Sequence, residues 1–251
     1  MHRYFEINGK GHNIRCKLYC QDPKLIERVV IFCHGFGGHK DNGAAEKFAK
    51  RLISKYKKFA LITFNWPSHG DDVKKKLKLE DCSDYLDLVI DYVREKYTEE
   101  EIYCYATSFG GYLTLKYVQE HGNPFRKIAL RCPAVNMYDV LTTAIVSSGE
   151  LEALQKGQEV PVGFDRKVLV TPAFLEDLKT NDIRKLDFLE YAEEILILHG
   201  SVDEIVPFDA AYTFADENLI SFIPVEGADH RFQNAEKMEQ ADRCILEFYG
   251  L

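Results

Sequence analysis

The apolar residues of this chain come in two kinds of run, and the two alternate. Mainly apolar, strand-like stretches lie at 29–33, 59–64, 102–106, 127–132, 195–198 and 220–225, and the first of them is continuous. A strand with helices on both of its faces needs apolar side chains on both sides, which is the pattern of a parallel sheet. Between these stretches, apolar residues recur at helical spacing. Ala45, Phe48, Leu52 and Tyr56 form one stripe, and Cys82, Tyr85, Leu86, Val89 and Val93 form a second. Met238, Ala241, Ile245 and Phe248 form a closing one. Residues 3–8 and 12–20 read as two further strands, joined in a hairpin at Gly9-Lys10-Gly11. Strand and helix thus alternate, which predicts an α/β fold with a mainly parallel sheet flanked by helices.

One region breaks the rhythm. From about residue 134 to 190 no regular alternation is visible, and Gly149, Gly157, Pro161, Gly163 and Pro172 punctuate the apolar residues. Residues 160–162 and 168–170 can pair as a small hairpin. A stretch of this length inside a compact domain reads as a lid or binding insertion. Two ordinary surface helices are the alternative. The whole chain, 1–251, is read as one domain carrying this insertion.

Composition narrows the function classes. The 251 residues are 46% hydrophobic, enough for a sizeable core, and carry a net charge of −8. Basic residues are scattered rather than striped, which argues against a nucleic-acid partner. The lysine runs Lys55/Lys57/Lys58 and Lys74-Lys75-Lys76 read as solvated faces. The seven cysteines are odd in number, several sit in apolar strand-like runs, and no Cys-x-x-Cys occurs. That pattern predicts free thiols in a reducing compartment, with neither a disulfide frame nor a zinc site. No signal-type or membrane-spanning apolar run is present, so a cytoplasmic protein without a membrane partner is expected.

The chemistry is carried by Ala106-Thr107-Ser108-Phe109-Gly110-Gly111. A buried strand runs into Ser108, and a helix begins just after it. Small residues stand two places before and two places after the serine. This is the spacing of a nucleophile elbow, where a sharp strand-to-helix turn projects the hydroxyl and crowds out larger neighbours. The helix start also aims unpaired N–H groups at the same point. A serine needs a base, and the base needs an orienting acid. Two later strands each end in a candidate: His199-Gly200-Ser201-Val202-Asp203-Glu204 and Glu226-Gly227-Ala228-Asp229-His230. The order Ser108, Asp203, His230 is that of nucleophile, acid and base in one known chain order. Glu204 is the neighbouring rival to Asp203, and only one of the two should face the site. His34, His39, His69 and His199 are expected to be structural or solvent-facing. An oxyanion hole needs two backbone N–H groups. Phe109, after the nucleophile, supplies one, and Phe36 in the loop His34-Gly35-Phe36-Gly37-Gly38 supplies the other. Gly35 and Gly37 let that loop approach a substrate. As a phosphate cradle the loop lacks the required glycine and lysine spacing.

Together, the His34–Gly38 loop, Trp66 through Gly70, the Ser108 elbow, Gly200-x-x-Asp203-x-x-Val206-Pro207 and Gly227-Ala228-Asp229-His230 resemble the α/β-hydrolase superfamily. The loop and the insertion after the sixth strand are similar to bacterial feruloyl (cinnamoyl) esterases. The resemblance spans residues from about 29 to 248. It departs at Ala106, where glycine is usual, and at Asn65, where aspartate is common. It implies an eight-stranded α/β-hydrolase fold and a serine carboxylesterase acting through an acyl-enzyme. Ser108, His230 and Asp203 would form the triad, with Phe36 and Phe109 as oxyanion donors. Such a cycle needs no metal or organic cofactor. Its partner is a small-molecule ester, and assembly as a homodimer is compatible with the sequence. Tyr138, Phe164 and Phe174 are candidates for the pocket wall, or equally for the core of the insertion. A peptidase or acylaminoacyl hydrolase with the same triad, and a silent binding module on the same fold, are the competing readings.

Overall fold

The structure is a computed structural model, and it describes residues 1–72, 76–98, 100–164 and 166–251. Lys74 and Lys75 of the second lysine run lie outside the described residues. In chain order the elements are β1 (His2–Gly9), β2 (His12–Tyr19), β3 (Arg28–Cys33), α1 (Gly43–Lys55), β4 (Phe59–Phe64), α2 (Leu79–Lys96), β5 (Ile102–Thr107), α3 (Phe109–His121) and β6 (Lys127–Arg131). They continue with α4 (Met137–Val140), α5 (Ser148–Gln155), β7 (Val160–Val162), β8 (Val168–Val170), α6 (Pro172–Thr180), β9 (Ile195–Gly200), α7 (Phe208–Glu217), β10 (Ser221–Val225) and α8 (Ala235–Phe248).

Eight strands form one sheet in the order β1-β2-β4-β3-β5-β6-β9-β10. Strands β4 to β10 along that order run parallel, and β1 and β2 add antiparallel at one edge. The β1–β2 hairpin closes on Lys10 and Gly11, both at positive φ (48° and 77°). Two consecutive positive φ values give the turn whose twist matches paired strands. Strands β3, β4, β5 and β9 are buried along nearly their whole length, as their mainly apolar runs require. Their side chains divide between two apolar layers. Cys33, Ile62, Cys104 and Leu130 point to the layer built with α2, α3 and the insertion. Phe32, Leu61, Tyr105 and Leu198 point to the layer built with α1 and α8.

The insertion lies between β6 and β9. Ser147 and Glu150 cap α5 reciprocally: Ser147 Oγ accepts from the Glu150 N–H at 3.3 Å, and Glu150 Oε2 accepts from the Ser147 N–H at 2.9 Å. β7 and β8 pair antiparallel, Val160 against Val170 and Val162 against Val168. Leu154, Val162, Val168, Phe174 and Leu178 are buried in the same apolar layer as α2 and α3. The insertion therefore shares its packing with the main sheet. Among the described residues, no helix is long and apolar enough to cross a membrane.

Candidate active site

The segments that follow β3, β5, β9 and β10 meet at the carboxyl end of the sheet. The elbow comes first. β5 ends at Thr107, and Ser108 takes φ 51° and ψ −118° before α3 begins at Phe109. Positive φ on a serine costs about 1–3 kcal/mol and persists only where surroundings enforce it. Here they do. The Ser108 N–H donates to the Arg131 carbonyl at 3.1 Å, and the Ser108 carbonyl accepts from Ala134 and Tyr112 at 3.2 Å. Gly110 is mandatory, because a Cβ there would lie 2.2 Å from the Cys33 carbonyl oxygen. Ala106 is fully buried, and its methyl is accommodated within the apolar layer.

The acid and base are held by two loops fastened to each other. The Ser201 N–H donates to the Val225 carbonyl at 3.1 Å, and the Val202 N–H donates to the Ala228 carbonyl at 3.2 Å. A Cβ on Gly200 would stand 2.2 Å from the Ala228 oxygen, so only glycine allows this approach. The Asp203 side chain is fully enclosed. Its Oδ1 accepts from the N–H groups of Ile205 (2.9 Å) and Val206 (2.8 Å), and its Oδ2 accepts from His230 Nδ1 at 2.8 Å. Since a carboxylate only accepts, the His230 proton sits on Nδ1 and leaves Nε2 as the basic nitrogen. Burial alone would raise the Asp203 pKa. The bonds from His199, His230 and the Val206 amide overcome it and hold the carboxyl well below its ordinary range.

Ser108 and His230 line one cavity of about 370 Å³, together with Gly35, Phe36 and Gly37. No hydrogen bond joins the Ser108 hydroxyl to His230 in this structure; such contacts commonly tighten only when substrate is bound. The N–H groups of Phe36 and Phe109 donate to no acceptor among the described residues. Gly37 (φ 73°) turns the Phe36 loop, and the Phe36 and Phe109 rings meet edge to face at 5.7 Å. His34 and His69 sit behind them. His34 Nδ1 donates to the Gly35 carbonyl at 2.8 Å, and its Nε2 accepts the Trp66 N–H at 3.3 Å. Burial first, then the neighbouring His69, pushes the His34 pKa well down, and burial brings His69 to about 4. Both are neutral props for the loop.

The rival residues separate. Glu204 reaches the His230 backbone N–H (3.2 Å) while Asp203 takes the ring. Asp229 turns away and accepts from the Gln233 N–H at 2.9 Å. His199, read from the sequence as structural or solvent-facing, is fully buried with its Nε2 3.3 Å from Asp203 Oδ2. Its Nε2 also donates to the Val206 carbonyl at 3.1 Å. The signal for it was position: a histidine ending a fully buried strand, one turn before the acid.

Two expected wall residues are elsewhere. Tyr138 lines a separate recess with Leu178 and Arg184, because α4 carries it away from Ser108. Phe174 is buried beneath the Phe109 ring, 6.2 Å between centroids, and is core. Phe164 does line the cavity and is half exposed. Three residues absent from the sequence reading, Arg131, Arg166 and Arg231, line it as well. Cys132 brings its thiol within 4.8 Å of Asp203 and His230, a grouping that could hold a metal ion. Both Asp203 oxygens are already engaged by protein donors, however. The cluster is better described as the acid–base pair with a buried thiol beside it, whose pKa burial raises.

The alpha/beta hydrolase fold family profile matches residues 28–149, from the start of β3 past the elbow to the start of α5. Solved structures match almost end to end. Est1E from Butyrivibrio proteoclasticus, in a structure titled with ferulic acid bound, is 18% identical with a TM-score of 0.76, over 98% of this chain and 100% of that one. The chain has the α/β-hydrolase fold. A monoacylglycerol lipase from Paleococcus ferrophilus shares the fold at a TM-score of 0.67 and 20% identity, over 94% of this chain and 98% of that chain. In sequence, monoacylglycerol lipase abhd6-B of Xenopus laevis is 23% identical over 186 residues, which is 73% of this chain. The chain spans about half the length of that relative (50%).

Proposed function

We propose that this chain of α/β-hydrolase fold is a serine hydrolase that cleaves carboxylic esters by acyl transfer. One observation carries the reading. The Asp203–His230 pair, at 2.8 Å, reaches through His230 the same cavity as a serine strained at an elbow and as Phe36, whose N–H donates to no acceptor among the described residues. In the proposed cycle, Ser108 Oγ attacks the ester carbonyl and His230 Nε2 takes its proton. The Phe36 and Phe109 N–H groups bind the oxyanion. His230 then protonates the leaving alcohol, and an acyl group stays on Ser108 until water, activated by the same imidazole, releases it. Asp203 keeps the tautomer and stabilises the imidazolium.

The names of the relatives support an ester substrate, since they include lipases and the Est1E structure with ferulic acid. Aromatic acyl groups are the finer proposal, supported by the Phe36 and Phe164 rings at the cavity. The test is a fluorophosphonate probe with intact-mass and peptide analysis, alongside hydrolysis of 4-nitrophenyl butyrate and methyl ferulate. Single labelling at Ser108 with ester turnover is expected. Folded protein that neither labels nor turns over any ester would refute the proposal.

A further inference from the structure

We infer that the ester taken by this site carries an anionic group, a carboxylate or a phosphate, bound in the arm of the cavity beside Arg131 and the start of α1. This rests on the serine-hydrolase reading and extends it to substrate class. The cavity holding Ser108 is lined by three guanidinium groups, from Arg131, Arg166 and Arg231, and by no carboxylate among the described residues. They come from unrelated places: the end of β6, the β7–β8 loop and the residue after His230.

Arg131 is the deepest. It is 7% exposed, and Nη1 donates to Tyr105 Oη at 3.2 Å and approaches Met238 Sδ at 2.9 Å. Its Nε is buried with no partner among the described residues. The guanidinium lies over the Phe232 and Tyr105 rings, at 5.2 Å and 5.9 Å. Aromatic faces shield it from water without neutralising it, so an arriving anion meets a strong field. Asp242 on α8 is buried and feels the Arg131 charge, but no ion pair joins the two among the described residues, and burial raises that carboxyl to about 6.

The helix α1 adds to this field. It has 13 residues, its first two, Gly43 and Ala44, line the cavity, and neither N–H donates to a backbone acceptor among the described residues. Asn42 caps only the Ala45 N–H, at 3.0 Å. Free N–H groups and the positive end of the dipole therefore face the same space as Arg131. His39, also on the wall, is held below its ordinary pKa by burial and then by the Arg166 charge, so it stays neutral among these cations.

The experiment compares matched esters on the intact chain. 4-Acetoxybenzoate and 4-acetoxyphenyl phosphate place the charge on the alcohol side, with methyl 4-acetoxybenzoate as the neutral partner. Mono-4-nitrophenyl glutarate places it on the acyl side, with 4-nitrophenyl valerate as the neutral partner. The expected result is a kcat/KM ratio of charged to neutral ester of about tenfold for at least one pair, as a charge-assisted contact supplies. That ratio should fall about threefold in Arg166→Gln, whose side chain lies on an exposed loop and can be lost without unfolding. It should collapse in Arg131→Gln and be partly restored in Arg131→Lys, with circular dichroism checking that both variants fold. Raising salt from about 0.05 M to about 0.5 M should lower the ratio too. Equal kcat/KM across every pair, with turnover still dependent on Ser108, would overturn this inference and leave the esterase reading standing. No turnover of any ester would take both down.

Discussion

Replacing Asp203 by asparagine separates geometry from proton chemistry. The side chain is fully buried, and its two oxygens are not equivalent. Oδ1 is fixed by the Ile205 and Val206 amides at 2.9 Å and 2.8 Å, which need an acceptor. The asparagine oxygen must therefore stay there, and its NH₂ must take the place of Oδ2, facing His230 Nδ1. Two donors cannot face each other at 2.8 Å, so His230 moves its proton to Nε2 and presents it to Ser108. A ring protonated at Nε2 cannot accept the serine proton. The expected loss in kcat is about ten-thousandfold, or ~5 kcal/mol of transition-state stabilisation. Three of the four contacts survive, the His230 one with its direction reversed, and only the His199 Nε2 contact is lost, so folding stability should fall by about 1–3 kcal/mol. The assay is burst-phase and steady-state hydrolysis of 4-nitrophenyl butyrate, with a thermal melt on the same sample. A folded Asp203→Asn protein with less than about a tenfold kcat loss would refute the reasoning, because Asp203 would then not set the tautomer. Linkage adds a pH signature. The folded carboxyl titrates below its unfolded value of about 3.9, so its contribution is present above that pH and is lost as pH falls. The stability gap between wild type and Asp203→Asn should accordingly narrow below about pH 4.

Other outcomes follow from the same contacts. Gly200→Ala puts a methyl 2.2 Å from the Ala228 carbonyl oxygen and should push the His230 loop outward, lowering kcat about a hundredfold; unchanged kcat would show that the loop has slack. Gly110→Ala meets the Cys33 carbonyl at the same distance and should cost about 3 kcal/mol or more in chemical denaturation, with a smaller loss contradicting the packing. Asp242 is raised to about 6 by burial, so its ionisation weakens the fold as pH rises from about 4 to 6; Asp242→Asn should flatten that part of the stability profile, and an unchanged slope would exclude it. Six of the seven thiols are buried, so a colorimetric thiol reagent should react rapidly with Cys244 alone in the folded protein, and fast reaction of a second thiol would contradict the burial.

The sheet was readable because its strands are buried on both faces. Mainly apolar runs at 59–64 and 195–198 have few other ways to hide. The end of β6 was misplaced by one residue, since Cys132 looks like strand in sequence but takes φ 48° and turns the chain. The triad candidates were readable because each must follow a strand at the same sheet edge, which fixes their order and leaves few rivals. Within the insertion that logic fails. Tyr138, Phe164 and Phe174 were chosen for aromaticity, and aromaticity serves core and pocket equally; only the packing of α4 and α6 separates them. The arginines are the clearest omission. Looking for basic stripes along the sequence cannot find residues that β6, the β7–β8 loop and the His230 loop bring together. Arg131 alone offered a clue, as a cation at the end of an apolar strand.

The central claim is that Ser108 is the nucleophile served by His230 and Asp203. It is tested most directly by trapping the acyl-enzyme from 4-nitrophenyl butyrate by acid quench and locating the acyl group by peptide mass spectrometry, in wild type and in Ser108→Ala. The account predicts a butyryl group on Ser108 and a kcat about three or more orders of magnitude lower in the variant. An acyl group on another residue, or near wild-type turnover by folded Ser108→Ala, would contradict it.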